Sequence, residues 1–177
     1  YHPLFADLLT RQLREESPSA LPGLHRRAAD WLERNNDPGG AIRHMLAAQE
    51  PERAAQILER HFLGMLARSE IGTLLQWLRA LPDETVRARP WLCALDAWLY
   101  ILTGEAGRIE ARLKDAEAAL QGGQIPAADR DRIRGYIAAV RAQTDFIQGS
   151  IPAAIAHAGE ALSKLTAEDF VISATTA

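Results

Sequence analysis

The 177-residue chain has one cysteine, three valines and no apolar run long enough to span a bilayer. A single cysteine, Cys93, excludes an internal disulfide framework and a cysteine-based zinc site. A transmembrane helix needs about 20 consecutive apolar residues, and none are present. Basic residues are not in excess either: 20 Lys+Arg face 23 Asp+Glu, for a net charge of −3. Nucleic-acid binding by this segment would call for a basic face, so that function is not expected. The chain opens on Tyr1 without an initiator methionine or secretory signal and stops in mid-pattern at Ala177. A piece of a longer, cytoplasmic polypeptide is therefore expected.

What the chain does contain is 32 Ala and 23 Leu. These are strong helix formers, whereas β-branched residues such as the scarce valine favour strands. Apolar residues recur at i, i+3, i+4 spacing, as in Leu24, Ala28, Trp31 and Leu32, and in Leu92, Leu95, Leu99 and Leu102. The same spacing returns in Ile133, Ile137 and Val140, and in Ile151, Ile155, Ala158, Leu162 and Leu165. Such periodicity marks one face of an α-helix. Pro and Gly punctuate the pattern where helices should end, for example at Asp37-Pro38, Glu50-Pro51, Arg89-Pro90 and Gly122-Gly123. The predicted helices are 3–16, 21–35, 39–49, 52–67, 71–81, 90–103, 106–121, 127–148, 151–165 and one from about 167. Asp83 is expected to cap one short turn over 83–88.

Four turns look alike. They begin at Asn36, Ser69, Gly104 and Gly149, at spacings of 33, 35 and 45 residues. Each begins with a residue suited to a left-handed helix end, Ser69 least so. Each continues with Asp, Glu or Ser, able to cap or favour the next helix. Helix–turn–helix arrays of the tetratricopeptide kind repeat at about 34 residues. Ala142, Phe146, Gly149, Ala154, Ile155, Ala158, Ala161 and Leu162 follow the consensus spacing of that repeat. In it small residues allow close helix approach and the aromatic fills the space between units. The expected fold is all-α, a right-handed tetratricopeptide-like superhelical array of antiparallel helix pairs.

Candidate sites are few. His44 and His157 occupy like positions in two units, but neither has a second ligand one helical turn away, so no metal is expected. Packing or groove roles suit them better, and His25 and His61 read as surface or interface residues. Asp129-Arg130-Asp131-Arg132 reads as a solvated helix start, and Asp83-Glu84 has the same reading. Cys93 sits within an apolar helix, where a thiol is normally inert. No nucleophile and base can be paired, so no catalytic residue is proposed and no enzyme is expected. The aromatics are more informative. Trp91 and Trp98, seven apart, share a helix face and could line a concave groove with Ile101. Tyr136 and Gln143 occupy matching positions on the next inner helix. The competing reading places both tryptophans in the core between repeats. Trp31 and Trp77 read as packing residues.

Several stretches together carry a family resemblance. Tyr1-His2-Pro3-Leu4-Phe5-Ala6-Asp7-Leu8-Leu9 resembles the end of the winged-helix part of MalT-like LuxR-family ATP-dependent transcriptional regulators. Leu24-His25-Arg26-Arg27-Ala28-Ala29-Asp30-Trp31 resembles their LHRRAAxW stretch, and Ala41-Ile42-Arg43-His44-Met45-Leu46-Ala47-Ala48 their AIxHALAA stretch. Thr73-Leu74-Leu75-Gln76-Trp77-Leu78-Arg79-Ala80-Leu81-Pro82 resembles TLLxWLxALP, and Arg89-Pro90-Trp91-Leu92 and Ala97-Trp98 resemble the start of the sensor superhelix. The resemblance implies that 1–82 is a helical linker after the winged helix and 83–177 the truncated start of a sensor. ATP is implied for the family's ATPase domain, but no G-x-x-x-x-G-K-[ST] or G-x-G-x-x-G loop occurs here, so no cofactor is expected in these residues. The expected partners are a small-molecule inducer or a regulatory protein, other domains of the same chain, and further copies of itself. Contact with nucleic acid or membrane is not expected. The alternative is a free-standing tetratricopeptide-like scaffold that binds protein segments.

Overall fold

A computed structural model of the chain describes residues 11–13, 15–122, 125–166 and 169. Those residues are predominantly helical, with no strand among them. A 3-10 turn at Pro18–Ala20 leads into α1 (Leu21–Arg34). Then come α2 (Pro38–Ala47), α3 (Pro51–Ala67), α4 (Ile71–Ala80), α5 (Asp83–Arg87) and α6 (Pro90–Thr103). A second 3-10 turn, Ala106–Arg108, precedes α7 (Ile109–Gly122), α8 (Ala127–Ile147) and α9 (Ile151–Lys164). The sequence predictions agree with these bounds to within about three residues. The predicted helix from about 167 lies outside the described residues, as does most of the one over 3–16.

One turn recurs at five of the joins between the described helices. Asn36, Ser69, Gly104 and Gly149, the four residues singled out by the repeat, all have left-handed backbones, with φ of 60°, 58°, 75° and 78°. A fifth, Gln49 with φ 61°, was not anticipated. The backbone hydrogen bonds explain the recurrence. At each turn the N–H of the residue after the left-handed one donates to a carbonyl five residues back. These bonds run from Asp37 to Leu32, Glu50 to Met45, Glu70 to Met65, Glu105 to Tyr100 and Ser150 to Asp145, at 2.8–3.0 Å. The left-handed residue itself donates to the carbonyl three back, as Asn36 does to Glu33 at 3.1 Å and Gly149 to Phe146 at 3.0 Å. This paired arrangement is a Schellman motif, which satisfies carbonyls that a helix end leaves free.

The same residue that closes one helix opens the next. The carbonyls of Asp37, Glu50, Glu70 and Ser150 accept from Ala41, Ala54, Leu74 and Ala154, so no spacer is needed. Side-chain capping contributes less than the sequence suggested. Asp37 accepts from the Gly40 N–H at 2.8 Å, whereas Glu70, Glu105 and Ser150 make no side-chain cap. Asp83 does not cap α5 either: Pro82 holds that position, and Asp83 pairs with arginines instead.

The chain forms two compact units, Tyr1–Leu58 and Glu59–Ala177. In the first, α1 packs against α2 over buried Ala29, Ala41, Ile42 and Met45. Asp30 pairs with Arg53 at 2.7 Å, and Arg26 with Glu50. Trp31 is 58% exposed and is not the packing residue expected from its periodic position.

In the second unit the closest pairings join α6 to α7 and α8 to α9, and α6 also packs on α8. Leu92, Leu95, Leu99, Leu113, Ala116, Ile133 and Val140 form its buried centre. The buried residues of α9 are Ala154 and Ala161, which lie seven apart on one face. Ile155 and Leu162 each follow by one residue, roughly 100° round the helix. Ile155 is consequently 68% exposed, and Phe146, expected to fill the space between units, is 65% exposed.

The left-handed turns make a stability prediction. Side chains other than glycine resist that conformation by about 1 kcal/mol. Gln49→Gly and Ser69→Gly should each raise stability by about that amount, read as a higher urea midpoint at unchanged slope. Gly104→Ala should lower it similarly, because an added Cβ there meets no neighbour and only the backbone conformation is tested.

Candidate functional site

Pro90 starts α6, where its fixed φ suits the first helical position. Trp91 follows on the first turn, half-buried, with its ring against two others. Its centroid lies 5.2 Å from Tyr136 of α8, edge to face, and 5.7 Å from Phe62 of α3. Phe62 and Tyr136 close the triangle at 6.5 Å. Edge-to-face geometry sets the positive rim of one ring against the negative face of another. The Arg132 guanidinium sits 5.5 Å over Trp91, a cation–π arrangement.

Arg132 also grips Asp169. Its Nη2 lies 2.7 Å from Oδ1, and its Nε donates to both carboxylate oxygens at 2.9 and 3.0 Å. The Tyr136 hydroxyl donates to Oδ1 at 2.7 Å, and the Thr166 N–H and hydroxyl donate to Oδ2 at 3.0 and 2.9 Å. Asp169 is only 1% exposed. Burial works against its charge, but the bonds from Arg132, Thr166 and Tyr136 outweigh it and hold the carboxyl below its ordinary range. Burial, reinforced by Asp169, pushes the Tyr136 hydroxyl far up, so it is neutral at physiological pH.

The structure thus brings together two of the five sequence-derived groove residues, Trp91 and Tyr136. Tyr136 is 2% exposed and has no open face. Trp98 and Ile101 are half-buried further along α6, Trp98 about 10 Å from Trp91 by helical rise. Gln143 is half-buried on α8. Phe62, Arg132 and Asp169 escaped the sequence reading. Arg132 lay in a charged run taken for a solvated face, and its buried partner is 37 residues away.

A second ionic cluster ties α5, α6 and α7 together. Arg112 donates through Nη2 to Asp83 at 2.7 Å, and its Nε lies 2.7 Å from Asp96. Arg112 and Asp96 are both buried. Burial lifts the Asp96 carboxyl above its ordinary range, opposed chiefly by Arg112. The sequence signal was a lone Asp inside the apolar stretch Leu92–Leu102. The cavity beside this cluster, about 180 Å³, is smaller than the roughly 300–1,000 Å³ of small-molecule sites. Cys93 is buried, with its thiol 3.1 Å from the Val86 carbonyl and pushed up by burial to about 12.

The histidines find partners that spacing did not reveal. His44 Nδ1 lies 2.8 Å from His25 Nδ1, and burial, then the neighbouring His25, lower its pKa. His157 Nδ1 lies 2.7 Å from Asp145. Among the described residues no group of three or more His, Cys, Asp or Glu is placed to hold a metal, and no helix is long and apolar enough to cross a membrane.

The Asp169 cluster predicts a pH signature. A carboxylate held below its ordinary value of 3.8 contributes stability that is complete above that value and is lost as pH falls through the lower one. Asp169→Asn leaves Arg132 without its charged partner and should destabilise by about 3 kcal/mol at pH 7. The gap between variant and parent should narrow towards pH 3 in parallel urea titrations.

No family model and no solved structure matches the chain. A curated relative does: over 170 residues the chain is 34% identical to the HTH-type transcriptional regulator MalT of Cronobacter sakazakii (strain ATCC BAA-894). That alignment takes in 96% of the chain and spans 18% of the relative's length. With its all-helical fold and the collinear motifs that run along it, the chain is related to the MalT-like regulators of the LuxR family.

Proposed function

We propose that the chain is a non-catalytic regulatory segment of a transcriptional regulator of the LuxR/MalT kind. The observation that carries this reading is the 34% identity, sustained over nearly the whole chain. In this reading the N-terminal part, to about residue 82, is a mechanical joint. The remainder begins a tetratricopeptide-like superhelix that senses an inducer or a regulatory protein. ATP belongs to a domain outside these residues.

The structure supports the sensor reading through its repeated hairpins. Helix pairs closed by one turn type, with α6 also packed on α8, are the units from which curved arrays are built. Trp98 and Ile101, half-buried on α6, are the groove residues best placed to meet a ligand. Trp91 and Tyr136 are committed to the aromatic cluster with Phe62. Binding would favour a self-associating form of the whole regulator over a closed one. A ligand achieves that only by differential affinity for the two forms.

Thermal melts of the chain with sugars, phenols and amino acids, followed by tryptophan fluorescence, test the proposal. A sensing segment should show a saturable rise in Tm with one compound class. Trp98→Ala should remove the rise while the protein still folds, because Trp98 lies outside the aromatic triangle. If no compound raises Tm, the sensor reading fails for these residues and a mechanical joint or protein-binding scaffold takes its place.

A further inference from the structure

One cavity carries a chemistry that neither the aromatic cluster nor the family relationship accounts for. It measures about 350 Å³ and lies among α7, α8 and α9. Arg130, Arg134 and Arg141 enter it from α8, at positions four and eleven residues on from the first, which share one helical face. Buried Leu120, Ile137 and Ala138 form an apolar floor. Glu117, Gln121, His157 and Glu160 complete the polar lining.

The three guanidinium groups are not equally engaged. Arg141 is held by Glu117 at 2.7 Å and Glu110 at 3.2 Å. Arg134 touches only the exposed Asp131 at 3.5 Å among the described residues, an arrangement that holds a side chain weakly. The Arg130 Nε is shut off from solvent and has no hydrogen-bond partner among the described residues. A buried donor of that kind is normally satisfied in a folded protein. Facing carboxylates number two, Glu117 and Glu160, and Glu117 is already taken by Arg141. The lining itself sets three arginines against these two glutamates, with Glu110 and Asp131 reaching Arg141 and Arg134 from outside it, so the weakly held Arg134 is the guanidinium most available to an anion.

We propose that this cavity binds a small oxyanionic metabolite, a phosphate monoester or carboxylate on a hydroxylated carbon skeleton. Guanidinium forks match both oxyanions. Arg130 and Arg134 grip the anion through their outer guanidinium nitrogens. Gln121 and Glu160 can accept from hydroxyls, while Leu120 and Ile137 lie under the carbon skeleton. The volume falls at the lower end of small-molecule sites, which suits a compound of sugar size. The site stands independently of the MalT-like reading.

The test is isothermal titration calorimetry of the 177-residue chain at low ionic strength with glucose 6-phosphate, gluconate and, as the neutral control, glucose. Saturable binding of either anion, with none of glucose, is expected. Tighter binding of glucose 6-phosphate assigns the phosphate source, and the reverse assigns the carboxylate. Added salt should weaken it. Arg130→Gln and Arg134→Gln should each lower affinity by about tenfold or more, the loss of one charge-assisted hydrogen bond, with unchanged helical circular dichroism. Arg134 is solvent-exposed, so its variant keeps the test open if Arg130→Gln unfolds. The proposal is overturned if neither anion binds at millimolar concentration, if glucose binds as well as they do, or if a folded variant binds as the parent does.

Discussion

Five of the helix joins described in this chain depend on one residue adopting a left-handed backbone. That residue reverses the chain, and the residue after it bonds backward to close one helix and forward to open the next. Because the turn has no slack, it fixes the distance and phase between the helices it joins. Small residues such as Ala154 and Ala161 then meet their neighbour closely, and the larger apolar residues are dealt to the interior or to the surface by rotation alone. The conformational cost is least where the turn uses glycine, at 104 and 149, and greatest where it uses Gln49 and Ser69. The packing of the hairpins offsets that cost.

Buried charge adds a second layer of order. Arg112 joins Asp83 and Asp96, so α5, α6 and α7 meet at one guanidinium. Arg132 joins Asp169 beside Trp91 and Tyr136. Such pairs add modestly to net stability, but removing one partner strands the other in a poorly solvating site. They act as register pins. Each demands a particular rotation of its helices, which apolar packing alone would leave degenerate.

Local features of the fold were readable from sequence, because helices and their ends are set by local chemistry. The four repeat turns came from residue type at fixed offsets, and each proved left-handed. Gln49 was missed because nothing in its chemistry favours that conformation; its neighbours impose it. The candidate site was readable only in part. Trp91 and Tyr136 were chosen for their helix faces, and they do meet. Phe62, Arg132 and Asp169 join them from distant stretches of sequence, and no local pattern encodes such a meeting. Asp96 left a legible trace as a lone acid in an apolar helix, but its partner Arg112 had none. The charged run at 129–132 misled because surface and cavity arginines have the same sequence signature. The exposed faces of Phe146 and Ile155 were hidden for a related reason: periodicity marks an apolar stripe without saying whether anything covers it.

Native-state hydrogen exchange of the backbone amides at Asp37, Glu50, Glu70, Glu105 and Ser150 tests the role of the turn most directly. Each donates the bond that closes a helix. If the turns hold the hairpins together, these amides exchange as slowly as the interiors of the helices they join, and open with them. Exchange at the rate of free loop amides, beside protected helices, would contradict the account.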